Sequence, residues 1–213
     1  ITGPALYLLM KHKIKVYFFY KNGKNNGQFV FEDPKNVLLR HKQHLLIEDR
    51  KFVTTTARDI VRGKIHNQYL FLQRIGRKTE NISISRALVE FDKLKKSLDC
   101  VDTVDKVRGI EGASANIYFS LFGYNILADW ICFNGRNKNP PLDEVNAVLS
   151  FLYTVLASKV SSALVKTGLD LAVGTLHALT YGRNSLVFDL LEEFRTPLVD
   201  TVTCALFNQG VLK

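Results

Sequence analysis

A chain of 213 residues is long enough for one sizeable core, or for a small unit joined to a larger one. Hydrophobic residues make up 46 % of it, which points to a packed globular protein and away from a disordered one. Its 29 Lys and Arg against 20 Asp and Glu leave a formal charge of +9, which favours a polyanionic partner: DNA, RNA or an acidic membrane. Cys100, Cys132 and Cys204 are far apart and show no CxxC pairing. That argues against a disulfide framework and a zinc knuckle, and a reducing cytoplasm is the setting expected. No apolar run reaches the roughly 18 residues of a membrane span and no signal peptide is recognisable, so no membrane association is expected. The sequence opens at Ile1 in mid-pattern, and both ends are expected to be cut from something longer.

In chain order, residues 3–12 suit a short amphipathic helix. Residues 15–20, rich in β-branched and aromatic side chains, read as a strand. Residues 22–27 form a turn cluster and 28–31 a returning strand, so a hairpin is expected that needs a larger sheet to join. Pro34 marks a boundary, after which the hydrophobic period becomes helical. Asn36 caps a helix carrying Val37, Leu38, Leu45 and Leu46. Residues 53–77 predict a long basic helix with Arg58, Arg62, Lys64, Arg74 and Arg77, most simply a solvated face. Further helices are expected over 83–98 and 111–129. A polar loop follows at 134–141, and Asp143 caps a long helix that Gly168 ends. The last part predicts two more helices, at 171–180 and 185–208. The fold class expected is α+β: residues 1–34 as the C-terminal part of a small N-terminal β domain, and residues 35–213 as a mostly α-helical domain.

Three of these segments carry groups that suit one metal ion. His177 and Glu192 are 15 residues apart. One straight helix would separate them by about 22 Å, too far for a shared ion, so the chain must break between them. Residues 181–184 supply the break, and Asn184 or Ser185 can cap a new helix. Asp189 and Glu192 then share a helical face at i and i+3. Glu111 is expected in the first turn of its helix, where a carboxylate suits the helix dipole and serves equally well as a cap; Ser114 and Tyr118 share its face. On the helix after Asp143, the polar residues Asn146, Ser150 and Tyr153 oppose an apolar stripe, and such a line either faces water or lines a cleft. Carboxylates with one imidazole suit Mg²⁺ or Mn²⁺ better than Zn²⁺, and a hard ion of that kind stabilises charge on a phosphodiester under attack.

Three stretches in register make the chain resemble one family. GIEGASANIYF at 109–119, FNGRNKNPPLDEVNAVLSFLY at 133–153 and LHALTYGRNSLVFDLLEEFR at 176–195 are similar to the three motifs of the CRISPR-associated integrase/endonuclease of spacer acquisition, in the family's order. The likeness runs over most of residues 3–208. Asn116 departs from it, standing where many relatives carry a basic residue.

The resemblance implies that the helical domain is catalytic. It implies metal ligands at Glu111, His177 and Glu192, with Asp189 as an accessory acid. It implies Mg²⁺ or Mn²⁺ as cofactor, and transesterification in antiviral defence: a DNA 3′-OH attacks a phosphodiester at the end of a CRISPR repeat and inserts a new spacer. Expected partners are DNA (the prespacer duplex and the leader-repeat), a second copy of the chain, the family's small partner protein and, in some relatives, a reverse transcriptase by fusion or association. Asn146, Tyr153, Arg183 and Arg136 are candidates for lining the active site or touching DNA, each weighed against an ordinary packing or solvated-loop role. Two alternatives stand beside the enzyme: a non-catalytic DNA-binding assembly subunit, and a transposon-type integrase that recognises terminal repeats.

Overall fold

In the computed structural model the described residues are 1–12, 14, 16–21, 25–29, 36–79 and 81–212; the side chains of Asn25 and Lys78 lie outside the description. Pro34, Lys15, the centre of the expected turn at 22–24 and the strand end at 30–31 also lie outside it. A short helix α1 (Gly3–Lys11) precedes a two-stranded antiparallel hairpin, β1 (Val16–Phe19) and β2 (Asn25–Phe29). Val16 faces Phe29, Tyr17 faces Gln28 and Phe18 faces Gly27, with an irregularity between Phe18 and Phe19. Residues 25–27, expected in the turn, therefore belong to the returning strand. The fold class is α+β as read from the sequence.

The remainder is helical: α2 (Val37–Leu46), α3 (Arg50–Thr79), α4 (Ile82–Ser97), α5 (Val104–Phe122), α6 (Glu144–Thr167), α7 (Ser185–Phe194) and α8 (Thr201–Asn208). Several ends follow local chemistry. The Asn36 carboxamide accepts from Leu39 N at 3.2 Å, the Asp143 carboxylate accepts from Asn146 N at 2.7 Å, and Gly168 ends α6 at φ 84°, a left-handed conformation open to glycine at little cost. Helix α5 begins seven residues before Glu111, because Thr103 caps it and Asp105 sits in its first turn. Glu111 therefore occupies the helix interior and is neither a cap nor a dipole partner. Residues 171–180 form turns and bends, not the expected helix.

Helix α3 runs through the centre and packs against α4, α5 and α7. Its apolar positions Ala57, Val61, Ile65 and Leu72 are fully buried, and Phe71 stacks on Phe122 of α5 at 5.8 Å between ring centroids. Helix α6 is long and apolar enough to cross a membrane by length and composition alone, despite its polar interruptions. Here it packs on α7 and buries Asn146, Tyr153, Ser158 and Ser161. The Tyr17 hydroxyl ties the hairpin to α6 by donating to Ser158 O at 2.9 Å.

The final stretch is one continuous rod with a wide turn in it. Residues Arg195–Asp200 are π-helical between α7 and α8. Pro197 has no N–H to give to the Glu193 carbonyl one turn earlier, and the ladder widens there. Asn67 of α3 donates its side-chain amide to that carbonyl at 2.8 Å, which also fastens α7 to α3. Asn67→Leu leaves the carbonyl without this partner. Chemical denaturation should show a loss of about 1–3 kcal/mol; unchanged stability would remove the Asn67 contact from the account.

Candidate active site

A cavity of about 450 Å³ opens where α3, α5, α6, α7 and the 171–184 loop meet. Its lining includes Glu111, His177, Glu192, Tyr153, Arg136 and Arg183 from the expected set, together with Lys64, Gln68, Lys138, Arg195 and Asp200. The chain break required between His177 and Glu192 is therefore present, and both reach one space with Glu111.

Lys64 organises the acids. Its ammonium contacts Glu111 Oε1 and lies 2.6 Å from Glu192 Oε2. The residue is only 6 % exposed, so the expectation of a solvated basic face fails at this position. Arg62 and Arg74 of the same helix keep a surface character, with Arg62 paired to Asp59 and Asp99. Burial opposes ionisation of Glu192, but Lys64 and Arg195 outweigh it and hold the carboxyl below its usual value. The close approach of Lys64 does not give Glu192 Oε2 a hydrogen bond of good geometry, and this buried oxygen has no other partner among the described residues. Two carboxylates converging on one cation, with an unsatisfied oxygen and a histidine in the same cavity, are donors that fit a hard divalent ion. Among the described residues, no three His, Cys, Asp or Glu side chains are drawn together as a closed ligand cluster.

Asp189 does not line this cavity. It is fully buried and accepts from the backbone N–H groups of Thr175 (2.5 Å), Leu176 (2.9 Å) and His177 (2.9 Å), and from His177 Nδ1 at 2.7 Å. Asp189, the accessory acid of the sequence reading, thus holds both the loop and the imidazole in place through these contacts. With Nδ1 donating to a carboxylate, Nε2 is the ring nitrogen free to act as a ligand. Gly174 permits the close approach: a Cβ there would lie 2.6 Å from Asp189 Oδ2 and 2.8 Å from the Ser185 carbonyl carbon.

Asn146 is also buried and outside the cavity lining. Its carboxamide accepts from Asn137 N (3.0 Å) and Arg136 Nη1 (2.7 Å) and donates to Gly135 O (2.9 Å), so it shapes the 134–141 loop. Ser150 holds the other Arg136 amino group at 3.0 Å. Tyr153 lines the cavity with its ring, while its hydroxyl donates to buried Asp200, which also accepts from Tyr118 at 2.9 Å. Burial pushes the Asp200 carboxyl up, although both tyrosines pull against it. Arg183 is exposed, with its guanidinium 5.5 Å from the Phe188 ring centroid.

The family profile described as CRISPR associated protein Cas1 matches residues 1–213. A CRISPR-associated endonuclease Cas1 of Moorella thermoacetica is 35 % identical over 98 % of this chain and 63 % of its own length, and one of Chlorobaculum tepidum is 37 % identical over 92 % and 59 %. This chain thus spans about three-fifths of the length of those curated relatives. Among solved structures, a casposase bound to an integration product superposes with a TM-score of 0.84 at 25 % identity, covering all of this chain and 58 % of the other. A Cas1 protein from Thermotoga maritima gives 0.83 at 26 % identity over all of this chain and 66 % of its own. A Cas6-RT-Cas1–Cas2 complex gives 0.83 at 28 %, over all of this chain and 23 % of that one.

The Asp189 network makes an acid-dependent contribution to stability. Burial raises the Asp189 carboxyl, but the His177 ring and the three backbone N–H donors win and set it below its ordinary 3.8. The stabilisation is complete above the unfolded-chain value and is lost as pH falls through the lower folded one. Asp189→Asn should be less stable at neutral pH and should lose less stability than the parent on acidification from pH 5 to pH 3. Equal pH dependence in both proteins, by thermal or urea unfolding, would contradict this.

Proposed function

Because this chain belongs to the CRISPR associated protein Cas1 family, we propose that it is a metal-dependent DNA endonuclease and integrase that inserts spacers into a CRISPR array. The observation that carries the reading is the meeting of Glu111, His177 and Glu192 at one basic cavity. In this reading Glu111, Glu192 and His177 hold Mg²⁺ or Mn²⁺, His177 by the nitrogen that Asp189 leaves uncommitted. The bound ion supplies Lewis-acid stabilisation of charge on phosphoryl oxygens.

The chain's own groups do the rest. Arg136, fixed by Asn146 and Ser150, and Arg183 at the cavity rim neutralise phosphates of the entering strand and set its position. The 3′-hydroxyl oxygen of the incoming DNA bonds to phosphorus as the bond to the leaving 3′-oxygen of the target breaks. The hydroxyl proton leaves to solvent, and the leaving oxygen takes one up. With water in place of the hydroxyl, the same displacement is endonucleolytic cleavage. Helical residues 35–213 would form the catalytic domain and residues 1–34 part of a smaller β domain, within a cytoplasmic protein working on DNA. The Cas6-RT-Cas1–Cas2 complex among the structural neighbours supports a small partner protein, with a reverse transcriptase as an associated or fused module, and a second copy of the chain completes the assembly in this reading.

One observation favours a second target. The casposase at TM-score 0.84 is bound to its integration product, so a transposon-type integrase acting at terminal repeats is the competing reading. The intact protein, given labelled 3′-OH duplex and supercoiled DNA carrying either a CRISPR leader-repeat or terminal inverted repeats, separates the two. Metal-dependent joining to the leader-repeat is expected. Glu111→Ala, His177→Ala and Glu192→Ala should each lower it by about a thousandfold or more, comparable to losing a principal electrostatic group. Joining that survives all three substitutions sinks the site assignment, and joining only to terminal repeats replaces the CRISPR target.

A further inference from the structure

The cavity holds more positive charge than its acids use. Lys64 is committed to Glu111 and Glu192, and Asp200 to the hydroxyls of Tyr118 and Tyr153. Arg136, Lys138, Arg183 and Arg195 remain around the same space. Two of them are built into place. The guanidinium carbon of Arg195 lies 4.8 Å from the Tyr153 ring centroid and that of Arg136 lies 5.5 Å from it. The ring is anchored in place, because its hydroxyl is tied to a buried carboxylate. Arg136 is held further by Asn146 Oδ1 and Ser150 Oγ. Arg195 extends one amino group to Glu192 Oε1 at 3.1 Å.

We propose that Arg136 and Arg195, stacked on Tyr153, form with Lys138 an anion subsite that takes a DNA phosphodiester next to the one that reacts. This rests on the strand-transfer reading of the same cavity and names a second phosphate position within it. Stacking of arginine on an aromatic ring is by itself ordinary packing. Two further observations point to a ligand. The Nε atoms of both arginines are buried without a hydrogen-bond partner among the described residues, so each guanidinium has donors uncommitted. The cations also press on one another: the Lys138 ammonium is held below its usual value by partial burial first, and then by Arg195 and Arg136. A phosphodiester supplies the missing negative charge and acceptor oxygens, and planar guanidinium groups fixed in advance lose little freedom on binding it. The subsite also touches the carboxylate centre. The same Arg195 that would contact phosphate pairs with Glu192, so a strand seated here draws a competing cation away from a proposed metal ligand.

The test needs no metal. In EDTA, binding of the intact protein to a labelled branched DNA that mimics the joined product is followed by fluorescence anisotropy. One phosphodiester at a time is replaced by a neutral methylphosphonate. One linkage beside the joining point should cost about tenfold in affinity, the worth of a charge-assisted contact. In Arg136→Gln and Arg195→Gln that linkage should lose its penalty while the other linkages keep theirs. Arg195→Lys, which keeps the charge and loses the planar fork, should retain only part of it. Thermal unfolding of each variant checks that it is folded. A uniform drop across all linkages, or a wild-type scan with no outstanding linkage, overturns the subsite and leaves the strand-transfer reading untouched. Failure of metal-dependent joining with the linkage-specific effect intact strikes the strand-transfer reading and spares the subsite.

Discussion

The contact of Lys64 with Glu111 and Glu192 is the constraint around which the rest of the helical part is arranged. Three helices cross there, α3 bringing the cation and α5 and α7 bringing the acids. Taking Lys64 and Glu192 out of water, with Glu111 partly so, is costly, and their mutual attraction offsets the cost only while they stay together. Breaking such a set by removing one member costs about 3–5 kcal/mol. The consequence for chemistry is direct. Two helices are obliged to present ionised oxygens to one point, held there by a side chain that a divalent ion would have to displace. Arg195 reinforces the arrangement from the far side of Glu192 and links it to the Tyr153 platform.

A second device delivers the histidine. The 171–184 segment gives up regular structure, and its amides turn inward to meet a single carboxylate. Asp189 collects three backbone N–H groups and the His177 ring, while the Leu186 amide returns to Leu171 O at 3.0 Å. The same short helix therefore does two things on two of its sides. Asp189 orients the imidazole and Glu192, one turn later, faces the cavity. A single turn of α7 thus sets the distance between the cavity carboxylate and the residue that orients the imidazole, and the helix itself is held on α3 through Asn67.

The parts legible in the sequence were those decided locally. The caps at Asn36 and Asp143 and the left-handed glycine at position 168 depend on chemistry within four residues, and they stand where the pattern put them. The demand for a break between His177 and Glu192 followed from helix rise alone. What lay beyond reach depended on distant partners. Lys64 looked like one basic residue among several on a polar helix, and only the acids of α5 and α7 make it a buried one. Residues 171–180 carry a helical hydrophobic pattern, but the Asp189 carboxylate offers their amides a better partner. Thr103 and Asp105 mark the true start of α5, a signal that the stretch from Glu111 onward concealed. Arg195 and Asp200 sit at or beyond the end of the last motif, on a π turn whose only sequence sign is Pro197.

If Glu111, Glu192 and the uncommitted nitrogen of His177 hold one ion, as proposed, the imidazole is bonded directly to it. Pulsed electron paramagnetic resonance of the Mn²⁺-loaded protein reads this directly, since a coordinated imidazole nitrogen couples to the metal's electron spin. A directly bound ¹⁴N that disappears in His177→Gln is expected, with bound Mn²⁺ reduced in Glu111→Gln and Glu192→Gln. Tightly bound Mn²⁺ with no nitrogen coupling, or coupling that persists after His177 is replaced, would contradict it.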